Sequence, residues 1–172
     1  VIDIDNAKQP MVSECGRYIL VYNGEIYNYL ELRQELIKSG VKFKGYGDTE
    51  VLLNLLINEG RKCLNKLNGM FSFIFYDKLE KSWIAGRDHF GIKPLYYYRD
   101  QKNILFSSEI KTFRHYTEFA VNKENIYEQL VYNYVSGKET IYNNIFRLLP
   151  GNYMVIKPKQ NIKTFEYYNV LD

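Results

Sequence analysis

"NGMFSFIFYD", Asn68–Asp77, is an almost unbroken apolar and aromatic run between polar ends. A short run rich in rings and without alternation reads as a strand buried on both faces, and it sets the centre of the fold. The Asn68–Gly69 pair in front of it reads as a tight turn. Immediately upstream, a short helix is predicted around Arg61 to Leu67. Before that, "GDTEVLLNLLINEG" (47–60) puts Val51, Leu52, Leu55 and Leu56 on one stripe. Asp48 or Thr49 can cap this second helix and Gly60 can close it. Further out, "YLELRQELIKSG" (29–40) spaces Tyr29, Leu32, Leu36 and Ile37 for another amphipathic helix ending at Gly40. Tyr18–Tyr22 precedes it as a strand, with "NGEIYN" (23–28) read as the strand-to-helix turn.

Downstream of the central strand, "KLEK" makes a polar turn into a strand over Trp83–Gly86. "YYYRDQKNILFSS" predicts a hairpin turning near Arg99–Asn103. A helix follows over Lys123–Tyr134. "GNYMVIKP" and "IKTFEYYNV" then form a second hairpin about "KPKQN". No internal repeat or low-complexity segment interrupts the pattern. The periodicity changes near Tyr116–Asn122, which marks a mild boundary. Sheets with flanking helices make this an α+β layered domain.

The composition fits that class. A chain of 172 residues suits one domain and buries roughly two thirds of its unfolded surface without disulfides or metal. The 17 Tyr and 10 Phe favour sheets. The net charge of +3 comes from scattered Lys and Arg rather than a stripe, which argues against nucleic acid or a membrane surface as partner. Cys15 and Cys63 lack C-x-x-C spacing, and His89 and His115 stand alone, so no metal site is expected and a reduced, cytoplasmic setting is. No run reaches membrane-spanning length, and "VIDIDNAKQP" (1–10) is not a signal peptide. Opening on a strand-like "VIDI" without an initiator Met, the chain is expected to have lost residues before Val1.

Four stretches can carry chemistry. Asn23 supplies a side-chain amide donor beside Gly24, whose bare backbone N–H can approach a ligand, and two such donors can converge on an oxyanion. Asn-Gly alone is most often only a turn. Asp48 at a helix start is most often a cap, its alternative being to hold a substrate ammonium group. Arg87, Asp88 and Lys93 flank a loop shaped by Gly91 and Pro94; an internal ion pair fixing a long turn outweighs a phosphate-binding loop there. Ser107 or Ser108 reads as a cap.

In order, "NGEIYN" (23–28), "GDTEVLL" (47–53), "GMFSFIFYD" (69–77), "RDHFGIKPLYY" (87–97) and "FSSEIK" (106–111) resemble the N-terminal glutamine amidotransferase domain of glutamine-hydrolysing asparagine synthetases. This is a class II amidotransferase of the Ntn-hydrolase fold. The resemblance runs from about Val1 to Thr112. The tail "TIYNNIFRLLPGNYMVIK" (140–157) resembles the passage into the synthetase domain. The implied fold is a four-layer αββα sandwich lacking its first strands. Residues 1–120 would form the amidotransferase domain, truncated at its N-terminus. Residues 121–172 would be its end and the connection toward an absent synthetase domain.

The resemblance implies that an N-terminal cysteine, its free α-amine acting as base, attacks the side-chain amide of glutamine and releases ammonia. It assigns the oxyanion hole to the Asn23 side chain and the Gly24 N–H. Glu25 and Asp48 would hold the α-amino end of glutamine, and Val1 would touch glutamine through its backbone. The family's leading Cys-Gly-Ile strand, and the arginine that grips the glutamine carboxylate, would lie before Val1. Neither Cys15 nor Cys63 fits the nucleophile's place, so the chain by itself is expected to be inactive. No cofactor is expected within it; ATP and Mg belong to the synthetase domain, which is its expected partner. Missing first strands would bare a sheet edge and apolar surface, favouring a homo-oligomer. Two alternatives remain open: a degenerate, non-catalytic binding or scaffold module, and the glutaminase half of an enzyme amidating a sugar or peptide.

Overall fold

The computed structural model describes residues 2–3, 7–158 and 160–171. Val1, and with it much of the expected "VIDI" strand, lies outside the described residues. In chain order the elements are β1 Met11–Val12, β2 Tyr18–Ile26, α1 Tyr29–Lys38, α2 Asp48–Glu59, β3 Gly69–Asp77, β4 Ser82–Arg87, β5 Tyr96–Arg99, β6 Ile104–Ser107, α3 Lys123–Tyr132, β7 Ile145–Arg147, β8 Asn152–Ile156 and β9 Lys163–Glu166. Tight 3-10 turns occupy Gly60–Lys66 and Ile110–His115. The class is α+β, and the chain divides into two compact units: Val1–Lys93 with Pro150–Asp172, and Pro94–Leu149. The change of periodicity at Tyr116–Asn122 falls inside the second unit.

The first unit is a six-stranded antiparallel sheet in the order β1-β2-β3-β4-β8-β9. The apolar run before Asp77 is β3, and it sits inside the sheet, paired along its length with β2 and over Ser72–Asp77 with β4. One face carries the core. Leu20, Tyr22 and Ile26 of β2 and Phe71, Phe73 and Phe75 of β3 pack with Leu32 and Leu36 of α1 and with Val51, Leu52, Leu55 and Leu56 of α2. These are the apolar stripes that the helical spacing implied, except that Ile37 of α1 is 41% exposed and outside the core; alternate strand residues share a face with them.

Three expectations change here. "NGEI" is not a turn: β2 continues through it to Ile26, pairing Asn23 with Ser72, Gly24 with Phe71 and Ile26 with Gly69. Turn-favouring residues sit in this strand because β3 comes unusually close. A Cβ on Gly24 would collide with the Met70 carbonyl oxygen and lie 2.7 Å from the Phe71 Cα. A Cβ on Gly69 would collide with the Glu25 carbonyl oxygen in the same way, so Asn68–Gly69 is the entry to β3 rather than a hairpin turn. The actual bend is at Tyr27–Asn28. Tyr27 N–H donates to the Asn68 carbonyl at 2.7 Å, and the Asn28 side chain donates to the Lys66 carbonyl and accepts from Asn68 N–H at 2.8 and 3.0 Å. Asn28 therefore fastens the strand end instead of capping α1. The third change is at α2, whose N-cap is Gly47 with no side-chain cap bond.

The second unit holds a three-stranded antiparallel sheet, β6-β5-β7. Its hairpin turns where expected, around Asp100, whose carboxylate accepts from Lys102 and Asn103 N–H at 2.7 and 2.6 Å. The Asn122 side chain caps α3 by accepting from Glu124 and Asn125 N–H. The helix stops short of Tyr134 because Asn133 turns left-handed at φ 59°. Ser107 accepts from Glu109 N–H at 3.1 Å, forming a local turn rather than capping a helix.

Candidate active site

Of the candidate residues, Gly24 and Asp48 meet along the edge of β2 that faces away from β3. Phe71 donates its N–H to Asp88 Oδ2 and its carbonyl accepts from Asp88 N–H, at 3.2 and 2.8 Å. Both polar groups of Phe71 are therefore turned from β2. Gly24 opposite it is a non-hydrogen-bonded partner, whose own N–H points to the other edge. Tyr22 and Ile26, two residues to either side, point the same way and show what that edge meets. The Gln9 side chain grips the Tyr22 backbone twice, accepting its N–H at 2.6 Å and donating to its carbonyl at 2.7 Å. Ile26 N–H donates to Asp48 Oδ2 at 3.1 Å. The Gly24 N–H lies between these two filled positions.

Asp48 is buried at the first turn of α2, 4% exposed. Its Oδ2 also accepts the Tyr22 hydroxyl at 2.7 Å. The acid that local pattern favoured as a cap thus reaches out to β2, and Gly24 and Asp48 are brought to one edge. Asn23 and Glu25 alternate with Tyr22 and lie on the opposite face, Asn23 exposed and Glu25 half-buried. Cavities of about 270 and 240 Å³ lie elsewhere, the first against Ser13, Phe43 and Glu50, the second against Arg61, Gln160 and Lys163. Neither is lined by Asn23, Gly24, Glu25 or Asp48.

The loop after β4 has a structural reading. Arg87 donates to the carbonyls of Lys93 and Gly91 at 2.8 and 2.7 Å. Asp88, fully buried, accepts from the N–H groups of Phe71, Phe90, Ile92 and Lys93. Side-chain-to-backbone bonds fix this turn, and those to Asp88 take up N–H groups that a bound phosphate would need. Cys15 is exposed in the turn between β1 and β2, its thiol lowered chiefly by the Ser13 hydroxyl. Cys63 is buried in the core, and burial pushes its thiol up to about 12.

Tyr22 and Gln9 were not singled out from the sequence. Tyr22 reads there as one more apolar strand residue, and nothing local marks a Gln at the end of a loop as a partner for a strand 13 residues later.

Comparison with known proteins agrees with this frame. Residues 1–168 match the family described as a glutamine amidotransferase domain. The chain is 36% identical over 169 residues to asparagine synthetase 1 (glutamine-hydrolyzing) of Bacillus subtilis strain 168, covering 98% of this chain and 27% of that protein. It is 35% identical over 182 residues to asparagine synthetase 2 (glutamine-hydrolyzing) of the same organism, covering 100% and 24%. The chain thus spans about a quarter of the length of these relatives. Among solved structures, a glutamine phosphoribosylpyrophosphate amidotransferase from B. subtilis superposes with a TM-score of 0.66 at 20% identity, over 92% of this chain and 31% of that one. At that identity the likeness speaks for the fold, the α+β arrangement of Ntn-hydrolase amidotransferases. With a family match across nearly its whole length, the chain belongs to the glutamine amidotransferase domain family.

Proposed function

We propose that this chain is the glutamine-handling domain of an asparagine synthetase-type enzyme, taking ammonia from glutamine for ATP-dependent amidation of aspartate. One observation carries the reading: Gly24 N–H and the Asp48 carboxylate share one edge of β2. A donor for a carbonyl that becomes an oxyanion and an acceptor for an ammonium group stand about one strand repeat apart, roughly 7 Å. That spacing suits the two ends of an extended glutamine. In this reading Asn23 adds the second oxyanion donor, Glu25 helps Asp48 hold the α-amino end, and Val1 contacts glutamine through its backbone.

Covalent attack in the family's manner needs a cysteine whose own α-amine is free. Cys15 sits in a turn and Cys63 is a poorly ionised core thiol, so neither fits that role. A polypeptide of these 172 residues should bind glutamine without releasing glutamate. ATP, Mg and aspartate are assigned to a synthetase portion that would be this domain's partner in the cytoplasm; among the described residues no helix is long and apolar enough to cross a membrane.

The test is glutaminase kinetics in the full-length protein that carries this domain. Asn23→Ala should lower kcat by about two to three powers of ten, and Asp48→Asn should raise KM for glutamine. Added ammonia should bypass both. Activity indifferent to glutamine, or unchanged in both variants, would overturn the reading.

A further inference from the structure

Among the described residues, the Asp48 carboxylate is held through one oxygen. Oδ2 accepts from the Tyr22 hydroxyl at 2.7 Å and from Ile26 N–H at 3.1 Å, whereas no bond reaches Oδ1 among the described residues. The two donors come from one strand, four residues apart, so they grip the carboxylate from two directions and fix its rotation. Tyr22 is itself held at both ends. Its main chain is clamped by Gln9, and its ring is packed in the core at 6% exposure. Burial, with the Asp48 charge beside it, raises the phenol well above its ordinary range, so the hydroxyl remains a donor throughout the working pH range.

We propose that Tyr22 is a positioning residue: by holding Oδ2 it aims Oδ1 of Asp48 at the α-ammonium of bound glutamine, and so sets affinity for the amino-acid end without touching the reacting atoms. The proposal rests on the reading of Asp48 as the ammonium holder. A hydrogen bond to a charged group that only orients another side chain should act on ligand binding and not on turnover.

The experiment uses the full-length protein and two ligands, L-glutamine and glutaramate, which lacks the α-amino group. Glutamine affinity is read as KM, or as a calorimetric Kd where no turnover occurs; glutaramate affinity is read as a competitive Ki or a Kd. Tyr22→Phe is expected to weaken glutamine about tenfold, leave kcat unchanged and leave glutaramate unchanged. In an Asp48→Asn background it should cost glutamine nothing further. Tyr22→4-aminophenylalanine, which keeps a donor at the para position, should fold and hold the parent affinity whether or not the phenylalanine variant folds. Equal weakening of both ligands, full additivity with Asp48→Asn, or a tenfold loss in the 4-aminophenylalanine variant would overturn the role of Tyr22 alone. Absence of glutamine binding by the unsubstituted protein would overturn the site reading and this proposal together.

Discussion

Gly24 has no side chain because the space a side chain would need belongs to β3, where the Met70 carbonyl and the Phe71 Cα lie against it. Since the obstacle is backbone rather than the end of a flexible side chain, it cannot swing away. Gly24→Ala should therefore lower the unfolding free energy by roughly 1–3 kcal/mol, read from urea denaturation; a change under about 0.5 kcal/mol would mean that the two strands part easily. Residue-scale reading of the sequence singled out Gly24 but gave it the wrong geometry, a turn instead of a strand. Asn-Gly carries a turn signal so strong that the strand running through it was hidden, and the reason for the glycine lies 47 residues away at Phe71. Asp48 shows the same limit. An acid at a helix start looks like a cap from its neighbours alone, and only the return of α2 to β2 reveals that Tyr22 and Ile26 are its partners.

At the scale of elements, the β2–β3 ladder is closed at one end by a fork. Arg17 donates to both oxygens of Asp77, at 2.8 and 2.7 Å, beside the Tyr18–Asp77 pair. The guanidinium, helped by the N–H groups of Glu80 and Leu79, holds the Asp77 carboxyl below its ordinary value of 3.8. A carboxyl with a lower value folded than unfolded binds protons more readily in the unfolded chain. Its stabilisation is full above pH 3.8 and fades as pH falls through the folded value. The stability gap between the parent and Asp77→Asn should accordingly shrink below pH 3.8, followed by urea midpoints; a gap independent of pH would show that the pair contributes nothing by charge. Elements were the most legible level. Helical spacing located α1 and α2, and the apolar run located β3, because burial on a defined face imposes a period. The two-residue β1 was not legible, since too few residues are paired to leave any period.

For the molecule as a whole, the notable fact is that the first unit is discontinuous. Its sheet takes β1 to β4 from the first part of the chain and β8 and β9 from the last, with Trp83–Gly86 paired to Tyr153–Ile156. The sequence showed the final hairpin but gave no sign of where it docks, because a strand's period reports its buried face and not its neighbour. A chain ending at Leu149 should leave β4 unpaired along one edge and uncover Phe73 and Ala85. It is expected to bind a hydrophobic dye and to lose cooperative unfolding, whereas an unchanged sharp transition would show that β8 and β9 are dispensable. The same arrangement bears on how the protein is made. While the ribosome is still adding the second unit, the earlier strands have nothing to complete them, and closure of this sheet must await the emergence of β8 and β9. Such late, long-range pairing slows folding and leaves an open sheet edge and apolar surface exposed until those two strands arrive.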